Sequence, residues 1–233
     1  MSIIISVAGA HSSCGKTTVC ELLLSNLKGR WGAIKYTKTA FYTSLTDDVS
    51  THPEGKDTRR MLSAGAHRVF WLQAPKEQLS EAIPLVVDML SECTGIVVEG
   101  NSPIEFLSPD IVIFVFGSDL KRLKPSARLA IERADFIVLN ESNSGDKGSF
   151  EGEAFRLNDS SEKEAFIIKV MEKIKELSYN KALEQLKRLS KDKKINCSIA
   201  RRIAEEFGLP YKIIGEMANK EGIKIKNCEL GCF

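Results

Sequence analysis

The tightest constraint on this chain lies in its first eighteen residues. Ile3-Ile4-Ile5-Ser6-Val7-Ala8 is a short apolar run. Gly9-Ala10-His11-Ser12-Ser13-Cys14-Gly15-Lys16-Thr17-Thr18 follows at once, and Lys16 to Leu27 has helix composition, with Val19, Leu22, Leu23 and Leu27 on one face. A buried strand, a glycine-bearing loop and a helix opening on Gly-Lys-Thr-Thr form the setting of a phosphate-binding P-loop. The glycines let successive backbone N–H groups turn inward as an anion nest. The helix N-terminus adds partial positive charge. Lys16 is the cation for the β- and γ-phosphates, and the Thr17 hydroxyl is a ligand for Mg²⁺. The common pattern has four residues between its glycines. Here either Ala10 stands at the first glycine position, or Gly9 serves with five residues between it and Gly15.

Strand-like and helix-like stretches alternate beyond the loop. Trp31 to Tyr36, Arg68 to Leu72, Gly95 to Glu99, Ile111 to Phe116 and Phe136 to Asn140 read as strands. Asp57 to Ala64, Leu79 to Ser91 and Pro125 to Arg133 read as helices, and Thr37 to Lys56 as a long loop, whose stretch around Thr43 to Asp57 is expected to receive the substrate or partner. Ile111 to Phe116 is continuously apolar, as a central parallel strand should be. The order implies a three-layer α/β sandwich with a mainly parallel sheet. Ligands of such sheets sit at the carboxyl ends of the strands, so the polar residues there are the candidates for chemistry.

Glu99 ends a strand in Gly-Ile-Val-Val-Glu-Gly and can hold Mg²⁺ directly or through water. Asp57 is a second candidate for the metal, with a helix cap as its structural alternative. Lys16, Glu99 and Asp57 are the candidate catalytic set. Lys35 and Arg59 are either anion contacts or surface charges. Asn140, at the end of the last strand, is the candidate for reading a nucleobase. Glu141-Ser142-Asn143 follows it, so the aspartate that selects guanine in Asn-Lys-x-Asp proteins is missing, and the base stays open between GTP and ATP.

Glu162 to Leu177 is amphipathic, with Phe166, Val170, Ile174 and Leu177 on one stripe, and the character changes after Tyr179. Ala182 to Leu189, Ser198 to Phe207 and Tyr211 to Lys220 are short helical patterns. The expected division is a nucleotide-binding domain over 1–178 and a small helical, cysteine-bearing domain over 179–233. The net charge is +2, yet the stretch from Asn180 onward carries +5 and the remainder −3. The last two helices and their Gly208-Leu209-Pro210 turn have a helix-turn-helix layout, which reads either as a DNA-binding face or as a solvated helical cap. The near-neutral whole argues against a general nucleic-acid coat. Cys197, Cys228 and Cys232 fall in the last 37 residues. Thiolates favour zinc or an iron–sulfur centre, completed within a homodimer for want of a fourth ligand; buried free thiols are the alternative. No apolar run approaches the ~20 residues that span a bilayer, and no basic stretch precedes the first strand. A cytoplasmic protein without membrane contact is expected.

Ala8 to Thr18 resembles the loop of the dethiobiotin synthetase and cobyrinic acid amidase group, in which the five-residue spacing is usual. A second resemblance covers roughly residues 1–140. Ile34-Lys35-Tyr36, Pro53-Glu54-Gly55-Lys56-Asp57-Thr58, Ala64-Gly65-Ala66 and Val97-Val98-Glu99-Gly100 occur in order. Together they are similar to the accessory proteins of molybdopterin guanine dinucleotide biosynthesis, the MobB family. Where that family shows histidines after the lysine of the second strand, this chain has Tyr36, Thr37 and Lys38. The resemblance implies an Mg²⁺-dependent nucleotide-binding protein with weak hydrolysis, serving molybdenum-cofactor enzymes. The rivals are an ATP-dependent ligase of the dethiobiotin type and a nucleotide-sensing DNA-binding regulator.

Overall fold

The computed structural model describes residues 2–47, 56–118, 122–140 and 153–227. Within them the chain forms two compact units, 3–171 and 172–227 with Ser2.

The larger unit is built on an eight-stranded sheet. In chain order the strands are β1 (Ile3–Gly9), β2 (Trp31–Lys38), β3 (Ser44–Thr46), β4 (Arg68–Ala74), β5 (Gly95–Glu99), β6 (Ile111–Phe116), β7 (Phe136–Leu139) and β8 (Glu153–Arg156). They lie in the order β3-β4-β2-β5-β1-β6-β7-β8. Every pairing is parallel except that of the edge strand β3, which runs antiparallel to β4. The all-buried patterns of β5, β6 and β7 explain their unbroken apolar sequences: both faces are covered, so alternation has no use there.

The helices of this unit are α1 (Lys16–Leu24), α2 (Asp57–Ser63), α3 (Leu79–Asp88), α4 (Arg128–Glu132) and the start of α5 (Ser160–Leu189). One face of the sheet packs Ile34, Phe70, Leu72, Ile96 and Val98 against Leu79, Ile83 and Val86 of α3. The same face continues as Phe114, Phe116, Ile137 and Leu139 against Ala127 and Ala130 at α4. The opposite face meets α1, α2 and the start of α5. There Phe166 stands edge-on to Phe136, with ring centroids 6.1 Å apart, and lies 5.6 Å from Phe155. The result is the three-layer sandwich expected, with the loop of residues 9–15 at the carboxyl end of the central strand β1.

The second unit holds the rest of α5, then β9 (Lys194–Asn196), α6 (Cys197–Glu206), α7 (Tyr211–Lys220) and β10 (Lys224–Lys226). Ile203, Ala204, Phe207, Ile214, Met217 and Ala218 form its core with Ala182 and Leu186 of α5. The two helices end alike: Leu209 N–H reaches the Ala204 carbonyl at 2.8 Å, and Ile223 N–H reaches that of Ala218 at 2.8 Å.

Four expectations are corrected. The stretch 37–56 is not loop throughout, because Ser44–Thr46 pairs with β4; residues 48–55 lie outside those described. A strand at 153–156 extends the sheet beyond β7. The long helix does not stop at Leu177 but runs on to Leu189. The C-terminal unit is helical but also carries a parallel two-stranded ladder, β9 with β10. Among the described residues, no helix is long and apolar enough to cross a membrane.

Candidate nucleotide and metal site

β1 ends at Gly9, where the chain turns into the loop. The Gly9 N–H donates to Asn101 Oδ1 at 2.9 Å, and Asn101 Nδ2 donates to the Gly9 carbonyl at 2.9 Å. Asn101 thus completes the backbone pairing of Gly9 and fixes the loop entrance. A Cβ at Gly9 would lie 2.4 Å from Cys14 Sγ and 3.0 Å from the Val115 carbonyl oxygen. Only glycine lets the loop close back on its strand. Ala10 N–H continues the strand pairing with a bond to the Val115 carbonyl at 2.9 Å. Of the two spacings, Gly9 is therefore the residue at which a side chain is excluded, and Ala10 is buried in the core.

Gly15 caps α1 at φ +101°, and a Cβ there would stand 2.2 Å from Asn140 Nδ2. Asn140 is thereby placed against the last residue of the loop. It lines both the main cleft and a smaller pocket of about 350 Å³ with Thr18, Leu22, Leu157, Asn158 and Lys163. Lys16 extends along the loop, its Nζ 3.0 Å from the His11 carbonyl and 3.7 Å from Cys14 Sγ. His11 donates from Nδ1 to the Ser12 carbonyl at 2.7 Å, and Ser12 Oγ accepts from Lys124 Nζ at 2.8 Å. Ser13 takes the left-handed conformation at φ +61°. His11, Ser12, Ser13, Gly15, Lys16, Thr17 and Thr18 all face a cleft of about 950 Å³, whereas Cys14 is buried.

Sheet register then assembles an ion cluster. Lys35 on β2 is the direct partner of Glu99 on β5, so their side chains share the face that α1 and α2 cover. Lys35 Nζ hydrogen-bonds Glu99 Oε1 and lies 2.7 Å from Asp57 Oδ2. Thr17 Oγ1, one residue into α1, donates to Glu99 Oε2 at 2.9 Å. The side chains of Lys35, Glu99 and Asp57 are 15%, 2% and 43% exposed, so the cluster opens to solvent on the Asp57 side only. Burial alone would lower the Lys35 pKa, but the charge of Glu99 and hydrogen bonds to Asp57 and Glu99 outweigh it and hold it above 10.5. Burial would raise the Asp57 carboxyl; its hydrogen bond and ion pair with Lys35, then Thr17 and Arg60, instead hold it below 3.8. The Cys20 thiol beneath is pushed well above its ordinary range by burial and then by Glu99.

Asp57 is the first residue of α2, and Lys56 occupies the cap position. Its carboxylate faces Lys35 rather than serving as a helix cap. Arg60, one turn on, forks onto Glu21 of α1 through Nε at 2.9 Å and Nη2 at 2.5 Å, which ties the two helices that carry Thr17 and Asp57.

Of the residues named from sequence, His11, Ser12, Ser13, Gly15, Lys16, Thr17, Thr18, Glu99, Asp57 and Asn140 line one cleft, whereas Gly9, Ala10 and Cys14 of the loop do not face it. Cys197 begins α6 in the other unit, and Cys228 and Cys232 lie outside the described residues. Among the described residues no three His, Cys, Asp or Glu groups gather as a metal cluster. Asn101 and Arg60 were not singled out in the sequence. Asn101 follows Glu99-Gly100 directly, which is a usable signal; Arg60 carries none beyond its place in the first turn of α2.

No family model matches the chain, and no curated protein matches it. Among solved structures it is similar to LpxK from Aquifex aeolicus, the "apo" form in complex with ATP, at 22% identity and a TM-score of 0.47. That likeness covers 66% of this chain and 53% of the other, so it spans about half the length of LpxK. The fold assignment rests on the strand order and the loop themselves.

Proposed function

We propose that this chain binds a nucleoside triphosphate, GTP or ATP, with Mg²⁺ and hydrolyses it slowly, as an accessory protein of molybdopterin guanine dinucleotide biosynthesis. One observation carries the reading. The short motifs similar to the MobB family are far apart in the chain, yet Lys35, Asp57 and Glu99 from three of them meet in one cluster beside Thr17 of the P-loop. A set of motifs that converges on one point serves one chemistry.

The geometry supports a role for each group. The Gly9–Gly15 backbone and the start of α1 present N–H groups to the phosphates. Lys16 needs only to leave the His11 carbonyl to reach them. The pocket between Asn140 and Asn158 is the place for the base, with amide donors and acceptors at its edge. The donor set beside the loop is all oxygen: one hydroxyl and two carboxylates. This suits Mg²⁺, a hard cation, and Thr17, Glu99 and Asp57 are the residues that would hold it. When bound, Mg²⁺ supplies charge neutralisation at the β- and γ-phosphates. Glu99 and Asp57 otherwise orient Thr17 and Lys35 and restrict water on the buried side.

A second reading is favoured by the extent of the cleft, which runs past the loop to Tyr36, Lys38, Lys76 and Ser102. That reach suits a further anionic substrate, as in a ligase of the dethiobiotin synthetase type. The deciding experiment is titration with GTP and ATP, with and without Mg²⁺, on wild type and Lys16→Ala. The variant should lose about a hundredfold in affinity while its circular dichroism is unchanged. Equal affinity in both proteins removes the nucleotide assignment.

A further inference from the structure

Lys35 is the feature that the nucleotide reading leaves unexplained. Its Nζ stands between two carboxylates, one of which also accepts from the Thr17 hydroxyl. Glu99 gives it one carboxylate oxygen and turns the other to Thr17 Oγ1 at 2.9 Å. Asp57 gives it Oδ2 at 2.7 Å. The ammonium therefore occupies the two carboxylates that a divalent cation would take together with the Thr17 hydroxyl. Register fixes it there, because Lys35 and Glu99 are direct partners on adjacent central strands. The lysine stem is held in the sheet, so it is not a surface side chain that swings aside at no cost.

Charge decides what enters. Lys35, Glu99 and Asp57 together carry −1. A free divalent cation added beside them would set +3 from metal and ammonium against −2, with Lys16 close on the loop. A buried or half-buried excess of one sign is costly. If the cation arrives with a triphosphate, the phosphates supply the missing negative charge and give the Lys35 ammonium a new anion. We propose that Lys35 is an internal counter-ion that closes the divalent-cation site to free metal, so that metal enters only together with a polyphosphate. The proposal rests on the nucleotide reading for what opens the site, but not for what keeps it closed. Lys35 is a positioning residue in this scheme, acting through Glu99 and Asp57.

The test is Mn²⁺ binding to the full chain, followed by electron paramagnetic resonance of the free ion. Without nucleotide, wild type and Lys35→Arg should leave Mn²⁺ free, whereas Lys35→Met should take up one ion per chain, more tightly than wild type by on the order of tenfold or more. Mn²⁺ should raise the thermal midpoint of Lys35→Met and leave that of wild type unchanged. Should Lys35→Met fail to fold, Lys35→Gln, which keeps a neutral donor in the gap, takes its place in the comparison. Addition of GTP or ATP should bring Mn²⁺ uptake in wild type. Wild type that binds free Mn²⁺ as tightly as the variant overturns the proposal, as does a folded variant that binds none. Failure of the nucleotide reading shows separately: no triphosphate binds in EDTA, while the metal-only comparison keeps its outcome.

Discussion

Glu99→Gln tests the centre of the site, and its effect can be worked from the contacts. The side chain is 2% exposed, accepts from Thr17 and pairs with Lys35. Glutamine keeps the shape and one acceptor oxygen but removes the charge. Breaking a buried ion pair by removing one partner costs about 3–5 kcal/mol when the other charge is left alone. Lys35 is not left alone here, since Asp57 stays 2.7 Å away on the more open side. The expected loss is therefore smaller, about 2 kcal/mol, which for a chain of this size lowers the thermal midpoint by roughly 4–8 °C. Lys35→Met alone should cost more, about 3–5 kcal/mol, because it leaves the Glu99 charge buried with only the Thr17 hydroxyl. The double variant should cost clearly less than the two combined, with a coupling of about 1–3 kcal/mol.

The functional consequence separates from the structural one. Much of the phosphate affinity comes from loop N–H groups that Glu99 does not touch, so triphosphate binding in EDTA should change little. Turnover with Mg²⁺ should fall about a hundredfold, the scale of losing one group that organises transition-state charge. The assay is phosphate release against Mg²⁺ concentration, beside melts of all four proteins of the cycle. A wild-type rate with full Mg²⁺ dependence would refute the role of Glu99 and leave Asp57 to carry the metal. Additive melts would refute the buried cluster itself.

Gly15→Ala places a Cβ at φ +101° and 2.2 Å from Asn140 Nδ2, so it should destabilise the chain by about 1–2 kcal/mol and weaken nucleotide binding; an unchanged melt would mean that the loop is not held in this form. Thermal stability should be flat between about pH 5 and pH 10 as far as the cluster is concerned. Asp57, held below 3.8, contributes stability that is lost as pH falls through its lowered folded value. Lys35, held above 10.5, contributes stability that is lost as pH rises through its raised folded value. Lys35→Met should flatten both limbs, and a profile identical to wild type counts against the pairing. For the cysteines, anaerobically purified protein should carry zinc or iron that a Cys228→Ser, Cys232→Ser double variant lacks; equal, metal-free preparations of equal stability make them packing residues.

The sequence exposed those parts of the fold whose causes are local. Strands β1, β5 and β6 are buried on both faces and show as apolar runs, and the loop shows as glycines with Lys16 and Thr17. Strands β3, β8, β9 and β10 have three or four residues each, too few for a period, and exist because a neighbouring strand offers its edge. The long helix reads as two pieces in the sequence for a different reason. Its buried seam advances by fours, through Phe166, Val170, Ser178, Ala182 and Leu186, with Ile174 half-buried. Steps of four exceed the 3.6 residues of a turn, so the seam winds around the helix instead of running straight along it. Ser178 is its one polar step and reads as a break. The same logic applies to the site. Glu99, Asp57 and Lys16 could be named from residue type and neighbours, but Lys35 was divided between anion contact and surface charge. What decides it is the pairing of β2 with β5, a relation between residues 64 positions apart. Local pattern can propose the anions of such a site, but only register can show which cation they already hold.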